Sequence, residues 1–359
     1  MSVATAPASP GSIRSELVGA RLPSWAPYGS AVAAMGLAVL LRTLLDWTGW
    51  ATTVLAAAAL FVIVLTAWSF GIEGRRQAKN RFATTLIYAS FLAAIVPLVL
   101  ILTYIGVKGF SVFSADFFLR SMNGVTSRMD GGGVYHALIG TLQQVAIAAI
   151  IALPIGIFTA IYLVEYGRGT FARIVTFFVD VMTGVPSIVA GLFVYTFLLL
   201  GFGMRPFGAA GALALAILMV PVSVRASEEM LKLVPRDLRD ASYALGVPKW
   251  RTVLKVVLPT AMSGLITSSL LAIARVAGET APLILLTGYT ASINFNPFSG
   301  DQATLPMMVW DQLGKRSGTT SNDLTEARAW GAALTLVLLV LILNVGARLL
   351  ARLAKPKTS

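Results

Sequence analysis

Two residues of opposite charge stand within an apolar run of the sequence. Arg275 and Glu279 are four residues apart in the run 260–288, so a continuous helix would place them on one face, where they can pair. Charge at membrane depth costs about 2.5–3.5 kcal/mol per residue on insertion scales, and such residues are expected to face a cavity or a partner. A guanidinium can hold two oxygens of a phosphate or carboxylate at once. The pair therefore indicates an anion site, or else a salt bridge that joins helices and touches no substrate.

A second polar feature interrupts the apolar run 174–200. Gly184, Pro186 and Ser187 lie in the sequence Gly-Val-Pro-Ser at its middle, where they are expected to break or kink a helix. Broken helices often line sites in transporters. For Asp180 we expect an ion pair with a basic residue at the interface, and for Gln143 and Gln144 we expect interhelical hydrogen bonds.

Several kinds of chemistry have no residues to carry them. Cysteine is absent and His136 is the only histidine, so we predict no metal site and no cofactor and regard His136 as an interfacial residue. The sequence has no GxxxxGK[ST] nucleotide loop, no HExxH and no GxSxG. We therefore do not expect an enzyme, and any ATP hydrolysis must come from another subunit.

Composition defines the class of protein. Of the 359 residues 57% are hydrophobic and 12% are charged, against about 25% charged in a soluble domain. Apolar runs long enough to approach or exceed a bilayer span recur along the chain. We predict an all-α polytopic membrane protein of about 8 spans, at 28–45, 49–71, 83–107, 137–164, 174–200, 208–224, 260–288 and 329–347.

The net charge of +12 has a topological explanation. Eight spans put both termini on one side, and most lysines and arginines outside the spans fall on that side. Cytoplasmic loops carry such an excess, so we expect cytoplasmic termini, with residues 1–24 as a disordered tail, and we expect no nucleic-acid partner. The first two spans lack interior proline, whereas spans three to seven each contain one; they are therefore predicted to be additions to a six-span core.

The segment from Glu228 to Pro259 is polar and helical in its periodicity. Pro235 suits a helix start, and Gly246 followed by Pro248 suits a helix end. We expect two short helices joined by a tight turn, the second ending at Leu258-Pro259. We expect this rigid pair of helices to lie at the membrane surface and to bind a soluble partner.

This segment resembles the "EAA" coupling loop of ABC-importer permeases. The matching residues, at the spacing of that loop, are Asp240, Ala241, Ser242, Gly246, Val256, Leu258 and Pro259. Aspartate replaces the usual glutamate, serine the second alanine and valine the isoleucine. The resemblance implies that loop 228–259, with its helix at about 235–245, fits a groove on an ATPase.

Three further segments resemble phosphate-specific permeases of the PstA type. They are Arg-Val-Ala-Gly-Glu-Thr-Ala-Pro at 275–282, Gly-Val-Pro-Ser-Ile-Val-Ala-Gly-Leu-Phe at 184–193 and Ala-Ile-Tyr-Leu-Val-Glu-Tyr at 160–166. The resemblance covers about residues 83–353. It implies a MetI-like six-helix permease domain over 83–353, preceded by two extra transmembrane helices and a basic loop over 25–82 and followed by a cytoplasmic tail at 354–359.

The resemblance also implies the partners and the pathway. These are a PstC-type second permease, a cytoplasmic ATPase dimer and an external phosphate-binding protein, all assembled in the lipid bilayer of the inner membrane. Arg275 and Glu279 would lie in the substrate pathway, beside the helix break at Gly184, Pro186 and Ser187. The alternatives are a permease for another oxyanion such as molybdate or sulfate, an ATP-independent carrier or channel, and a structural or signalling subunit.

Overall fold

The computed structural model describes residues 21–315 and 321–353, and these residues are helical, with no strand among them. The chain divides into two compact units, Met1–Leu102 and Thr103–Ser359. Among the described residues seven helices are long and apolar enough to span a membrane, or eight if one sharply bent pair counts as a single span. The predicted all-α class and its span number are therefore confirmed, while the predicted tails at 1–24 and 354–359 lie almost wholly outside the described residues.

The described part of the first unit, from residue 21, contains two helices and most of a third. These are α1 (Ala26–Leu44), α2 (Trp50–Glu73) and α3 (Arg75–Gly109), the last of which extends into the second unit. Leu22 and Ala26 pack on Leu65, and the rings of Trp25 and Trp68 meet edge to face at 5.6 Å between centroids. Small alanines along α1 allow this close approach of α1 to α2.

The buried carboxylate of Glu73 connects the polar ends of these helices by hydrogen bonds. Glu73 Oε1 accepts from Arg81 Nη2 at 2.7 Å and from the backbone N–H of Leu22 at 2.8 Å. Its other oxygen accepts from Ser69 Oγ at 2.6 Å. The side chain of Glu73 is only 3% exposed, so its charge depends on these donors.

The helices of the second unit follow in chain order. They are α4 (Ala115–Leu119), α5 (Tyr135–Ile161), α6 (Gly169–Thr183), α7 (Ser187–Val194), α8 (Gly208–Lys232), α9 (Arg236–Ala244), α10 (Lys249–Thr252), α11 (Leu258–Ala277), α12 (Ala281–Leu286), α13 (Leu305–Gly314) and α14 (Ser321–Leu353). Short π-helical turns continue α5 over Tyr162–Tyr166, continue α7 over Tyr195–Leu200 and join α10 to α11 over Val253–Val257.

The core of this unit is the contact of α5 with α8, covered by α11. Ala152 on α5, Met219 on α8 and Val276 on α11 belong to one buried cluster. A Cβ added at Gly156 would come within 2.4 Å of Ser223 Oγ. Glycine and alanine are therefore needed at this crossing, as in many membrane helix pairs.

Polar side chains of α5 fix the loop that precedes α13. Gln144 Nε2 donates to Gln302 Oε1 at 3.1 Å, and Gln302 Nε2 donates to Gln143 Oε1 at 2.6 Å. Gln143 and Gln144 are therefore hydrogen-bonded, but the predicted interhelical partners are wrong because both side chains bond to a loop. His136 is buried with its ring edge to face with Tyr289. Burial raises the pKa of Tyr289 further above neutral pH, because it disfavours the charged phenolate.

Two predicted helix boundaries are wrong. The run 260–288 is not one helix, because α11 ends at Ala277 and α12 begins at Ala281. Conversely, no break occurs at Leu258-Pro259, since the helix continues from Lys249 to Ala277 as a single span. The π turn just before Pro259 falls where the missing N–H of a proline removes a ladder bond. The helix passes the proline with this widened turn.

Candidate functional site

A cavity of about 590 Å³ lies where several helices end or break. It is bounded by the end of α6, the start of α7, the middle of α8 and the last turns of α11. Its charged lining residues are Arg225, Glu229, Arg275 and Glu279, and Pro186 and Ser187 line it as well. Helix ends leave backbone groups without helical partners, so the cavity combines charged side chains with polar backbone.

Arg275 is the exposed cation of this cavity. It lies in the last turn of α11, and within residues 21–315 and 321–353 its side chain has no hydrogen-bond or ion-pair partner. Glu279 follows the helix end and also lines the cavity. The two residues therefore share a cavity, but the predicted pairing on one helix face is wrong because the helix ends between them.

The predicted break in the run 174–200 is confirmed. Helices α6 and α7 meet at an angle of 104°, with Gly184 ending α6 and Pro186 preceding α7. Pro186 and Ser187 line the cavity, whereas Gly184 is not among its lining residues. Within the segment 184–193, packing requires glycine at Gly191, because an added Cβ there would lie 2.7 Å from Pro282 Cα of α12.

The second cation of the cavity, Arg225, was missed at the sequence level because the span around it was expected to end at residue 224. In the structure α8 continues to Lys232. Arg225 donates from Nη1 to Glu228 Oε2 at 2.7 Å and from Nη2 to Asp180 of α6, which confirms the expected ion pair of Asp180. The spacing of Arg225, Glu228 and Lys232, at helical intervals after Pro221, was the available signal.

The arrangement favours transient binding of an anion. Within the described part of the chain the guanidinium of Arg275 has no partner, and that of Arg225 is already neutralised by two carboxylates. Glu229 and Glu279 add negative charge to the same lining, which opposes tight retention of an anion. Within the described ranges no group of three or more metal-ligand side chains occurs.

The predicted coupling loop forms a short helix with defined ends. Helix α9 begins after Pro235 and is followed by Gly246, whose φ of +73° is the left-handed conformation expected of a C-terminal glycine. Ser242 is buried and shares a hydrogen bond of 2.8 Å with Thr252 of α10. Asp240 and Ala241 are exposed.

Helix α9 directs Arg239 and Ser242 toward the protein, while its outward face carries exposed apolar residues beside the exposed Asp240. Arg239 is one of the inward residues, since its Nη2 donates to Glu165 Oε1 at 2.9 Å and to the carbonyl of Leu231 at 3.0 Å. Leu238 and Leu245 remain 43% and 84% exposed. The outward apolar face is therefore a surface with no partner among the described residues.

Leu258 and Pro259 lie at the start of α11. Leu258 packs against a buried cluster to which Leu231 and Val257 contribute, and Pro259 is exposed at the start of α11. Through this cluster the loop that carries α9 is joined to α8 and α11. Both of these helices line the cavity, so a single packed unit connects the outward face of α9 to the charged residues.

Comparison with known proteins agrees with this arrangement. A family described as binding-protein-dependent transport system inner membrane component matches residues 152–359. The phosphate transport system permease protein PstA 1 of Mycobacterium tuberculosis (strain ATCC 25618 / H37Rv) is 48% identical over 277 residues, which cover 77% of this chain and 88% of the relative. The corresponding PstA protein of Yersinia pestis is 39% identical over 277 residues, covering 77% of this chain and 90% of the relative.

A solved structure supports the fold. The crystal structure of a bacterial ABC transporter involved in the import of the acidic polysaccharide alginate aligns with a TM-score of 0.51 at 15% identity. The alignment covers 79% of this chain and 100% of that chain. The chain is therefore a multi-pass inner-membrane protein that belongs to the binding-protein-dependent transport system inner membrane component family and, within it, to the PstA-type permeases.

Proposed function

We propose that this chain is a permease subunit of an ATP-driven importer of inorganic phosphate. The observation that carries the proposal is the free guanidinium of Arg275 in a cavity formed by helix ends. An arginine fork suits the tetrahedral oxygens of phosphate. The PstA relatives, at 36–48% identity, carry phosphate transport in their names.

Transient binding is what such a pathway requires. A transported ion must be bound well enough to enter and weakly enough to leave. Glu279 and Glu229 repel an anion that Arg275 attracts, and Arg225 is already occupied by Asp180 and Glu228. High-affinity capture would then belong to an external phosphate-binding protein. Pro186 and Ser187 would line the pathway at the break, and Gly184 would lie next to it at the end of α6.

The partner for energy coupling would dock on α9. We assign the exposed Asp240, Ala241 and Leu245 to contact with a dimer of cytoplasmic ATPase subunits. Ser242, Gly246 and the helical residues Leu258 and Pro259 would hold α9 in place. When the ATPase subunits close, the force on α9 would pass through the Arg239–Glu165 pair to α5, and through Leu231 to α8.

The assembly would contain a second permease of the PstC type. The termini would be cytoplasmic, because most lysines and arginines outside the spans fall on the side of the membrane where the termini lie. The permease domain would span 83–353, and the helices within 25–82 would be additions to it. No contribution from nucleic acid, metal or cofactor is needed for this function.

The experiment is uptake of labelled phosphate at low external phosphate by cells that lack this chain. Restoration of uptake by the wild-type gene, with competition by arsenate but none by molybdate or sulfate, is expected. Competition by molybdate or sulfate in place of arsenate would assign another oxyanion. Uptake that persists when the ATPase subunit is deleted would make the chain an ATP-independent carrier and would overturn the coupling role of α9.

A further inference from the structure

A groove of about 1060 Å³ runs between α2 and α3 within the first unit. Its volume is at the upper end of the roughly 300–1,000 Å³ typical of sites for drug-sized ligands. None of its lining residues belongs to the cavity that contains Arg275. It is therefore a separate feature that the proposed transport function does not use.

The groove is amphipathic along its length. One part is apolar and is lined on α2 by residues from Val54 to Leu65 and on α3 by residues from Tyr88 to Pro97. The other end is polar and is lined by Arg21, Glu73, Gln77, Asn80 and Arg81, followed by Thr84 and Thr85. A ligand that fits both parts has a polar head and a long apolar body.

The apolar part has the depth of one membrane leaflet. At 1.5 Å per residue, the stretch Val54–Leu65 rises ~17 Å and the stretch Tyr88–Pro97 rises ~14 Å. Half of a ~30 Å hydrocarbon core is ~15 Å. This apolar part therefore matches the length of one leaflet, and on α2 it begins ~12 Å from Glu73 at the polar end.

The polar end is positively charged. The carboxylate of Glu73 neutralises Arg81 through their ion pair, whereas Arg21 has no partner among residues 21–315 and 321–353. Arg75, Arg76 and Lys79 are exposed at the start of α3. Basic pockets between membrane helices attract anionic lipid headgroups, and each such cation near the surface contributes about 1 kcal/mol.

The surface of α3 gives the lipid access. No residue in the most apolar stretch of this helix is buried within the described part of the chain, and Ile87 and Phe91 are 70% and 60% exposed. Apolar side chains at this depth face hydrocarbon. The groove thus opens to the medium from which a lipid would come.

We propose that the groove between α2 and α3 binds an anionic phospholipid. The acyl chain lies between the two apolar faces, and the phosphate is held at Arg21 with Gln77 and Asn80 as additional donors. The bound lipid fills the space between the added N-terminal helices and α3. It is a site for a structural lipid, separate from the pathway for inorganic phosphate.

The test uses the full chain purified in detergent and titrated with phosphatidylglycerol or phosphatidylcholine, with binding read by native mass spectrometry. Wild-type protein is expected to retain phosphatidylglycerol in preference to phosphatidylcholine. Arg21→Gln should weaken phosphatidylglycerol binding about fivefold and leave phosphatidylcholine unchanged. Arg42→Gln removes the same charge from a cation that stacks on Trp50 outside the groove, and it should change neither.

Matched alanine positions test the groove itself. Ala58 and Ala93 line it, whereas the neighbouring Ala59 and Ala94 are exposed elsewhere on the same helices. Ala58→Phe and Ala93→Phe should displace the lipid, while Ala59→Phe and Ala94→Phe should retain it. A photoactivatable phosphatidylglycerol added to wild-type protein should label peptides from α2 and α3. This measurement does not depend on whether a variant folds.

Two results would overturn the proposal. One is equal retention of lipid by all four phenylalanine variants together with labelling spread evenly over the spans, which indicates ordinary annular lipid. The other, when the chain is purified together with its partner subunits, is loss of a partner subunit and not of lipid in Ala58→Phe and Ala93→Phe, which indicates that a protein helix occupies the groove. The effect of Arg275 variants on phosphate uptake has no bearing on either result. The lipid proposal and the proposed transport function can therefore be refuted independently.

Discussion

Arg239 of helix α9 donates to Oε1 of Glu165 from two nitrogens, Nε at 3.0 Å and Nη2 at 2.9 Å. Its remaining donors go to the backbone carbonyls of Val234 and Leu231. The side chains of Arg239 and Glu165 are 14% and 4% exposed. One residue thus ties the short surface helix to the end of α5 and the end of α8.

We predict that Arg239→Gln lowers the stability of the protein strongly. Breaking a buried ion pair by removing one partner costs about 3–5 kcal/mol, because the other charge stays buried without compensation. Thermal unfolding of the purified protein would show the loss. The double variant Arg239→Gln with Glu165→Gln should recover part of it, since both charges are then absent.

Arg236→Gln is the matched control for this experiment. Arg236 lies on the same helix, is exposed, and has no partner among the described residues. Its replacement should change stability by less than about 0.5 kcal/mol. Equal losses for Arg236→Gln and Arg239→Gln would show that the Glu165 contact does not hold the helix.

The two glycines of the segment 184–193 should differ sharply. A Cβ at Gly191 would stand 2.7 Å from Pro282 Cα, a backbone atom with little freedom to move. Gly191→Ala should therefore destabilise the protein by about 1–3 kcal/mol and distort the contact of α7 with α12. Gly184→Ala meets its nearest atom at 3.5 Å and has a φ of −86°, so it should be neutral or slightly stabilising.

Thermal unfolding of the two variants side by side is the measurement. A larger loss for Gly184→Ala than for Gly191→Ala would contradict the structure at this break. Uptake measured on the same variants would show whether the packing of α7 on α12 also supports transport.

The exposed apolar face of α9 is predicted to bind the ATPase subunit. Leu245 is 84% exposed, so Leu245→Glu should leave the thermal unfolding of the isolated chain unchanged. It should abolish co-purification with the ATPase subunit, because a charge in an apolar groove must be desolvated. Leu245→Met keeps an apolar side chain of similar volume and should retain binding. Unchanged co-purification of Leu245→Glu would place the ATPase contact elsewhere.

Local signals in the sequence predicted much of this architecture. The spans follow from length and hydropathy, the break after Gly184 from the Gly-Val-Pro-Ser segment, and the end of α9 from Gly246. Each of these features depends on a few neighbouring residues and on backbone preferences that are the same in any fold.

The features that were not predicted depend on contacts between residues far apart in the sequence. The helix break between Arg275 and Glu279 was signalled only by Gly278 and by Pro282 near the start of α12, a pattern that also fits a simple kink. The inward orientation of Arg239 depends on Glu165, 74 residues away. Helical periodicity places Arg239 on one face but cannot tell which face is covered.

The central claim is that Arg275 contacts the transported phosphate. Its most direct measurement is initial-rate phosphate uptake by cells that lack the native chain and produce the wild type, Arg275→Gln, Arg275→Lys or Arg205→Gln at equal membrane levels. Arg205 is exposed and lies outside the cavity, so its variant controls for the loss of a positive charge. Arg275→Gln should reduce uptake about ten- to hundredfold, as expected for the loss of a charge-assisted hydrogen bond. Arg275→Lys should be intermediate, because the charge remains without the planar fork, and Arg205→Gln should match the wild type. Wild-type uptake by Arg275→Gln would contradict the claim and leave the arginine a structural role only.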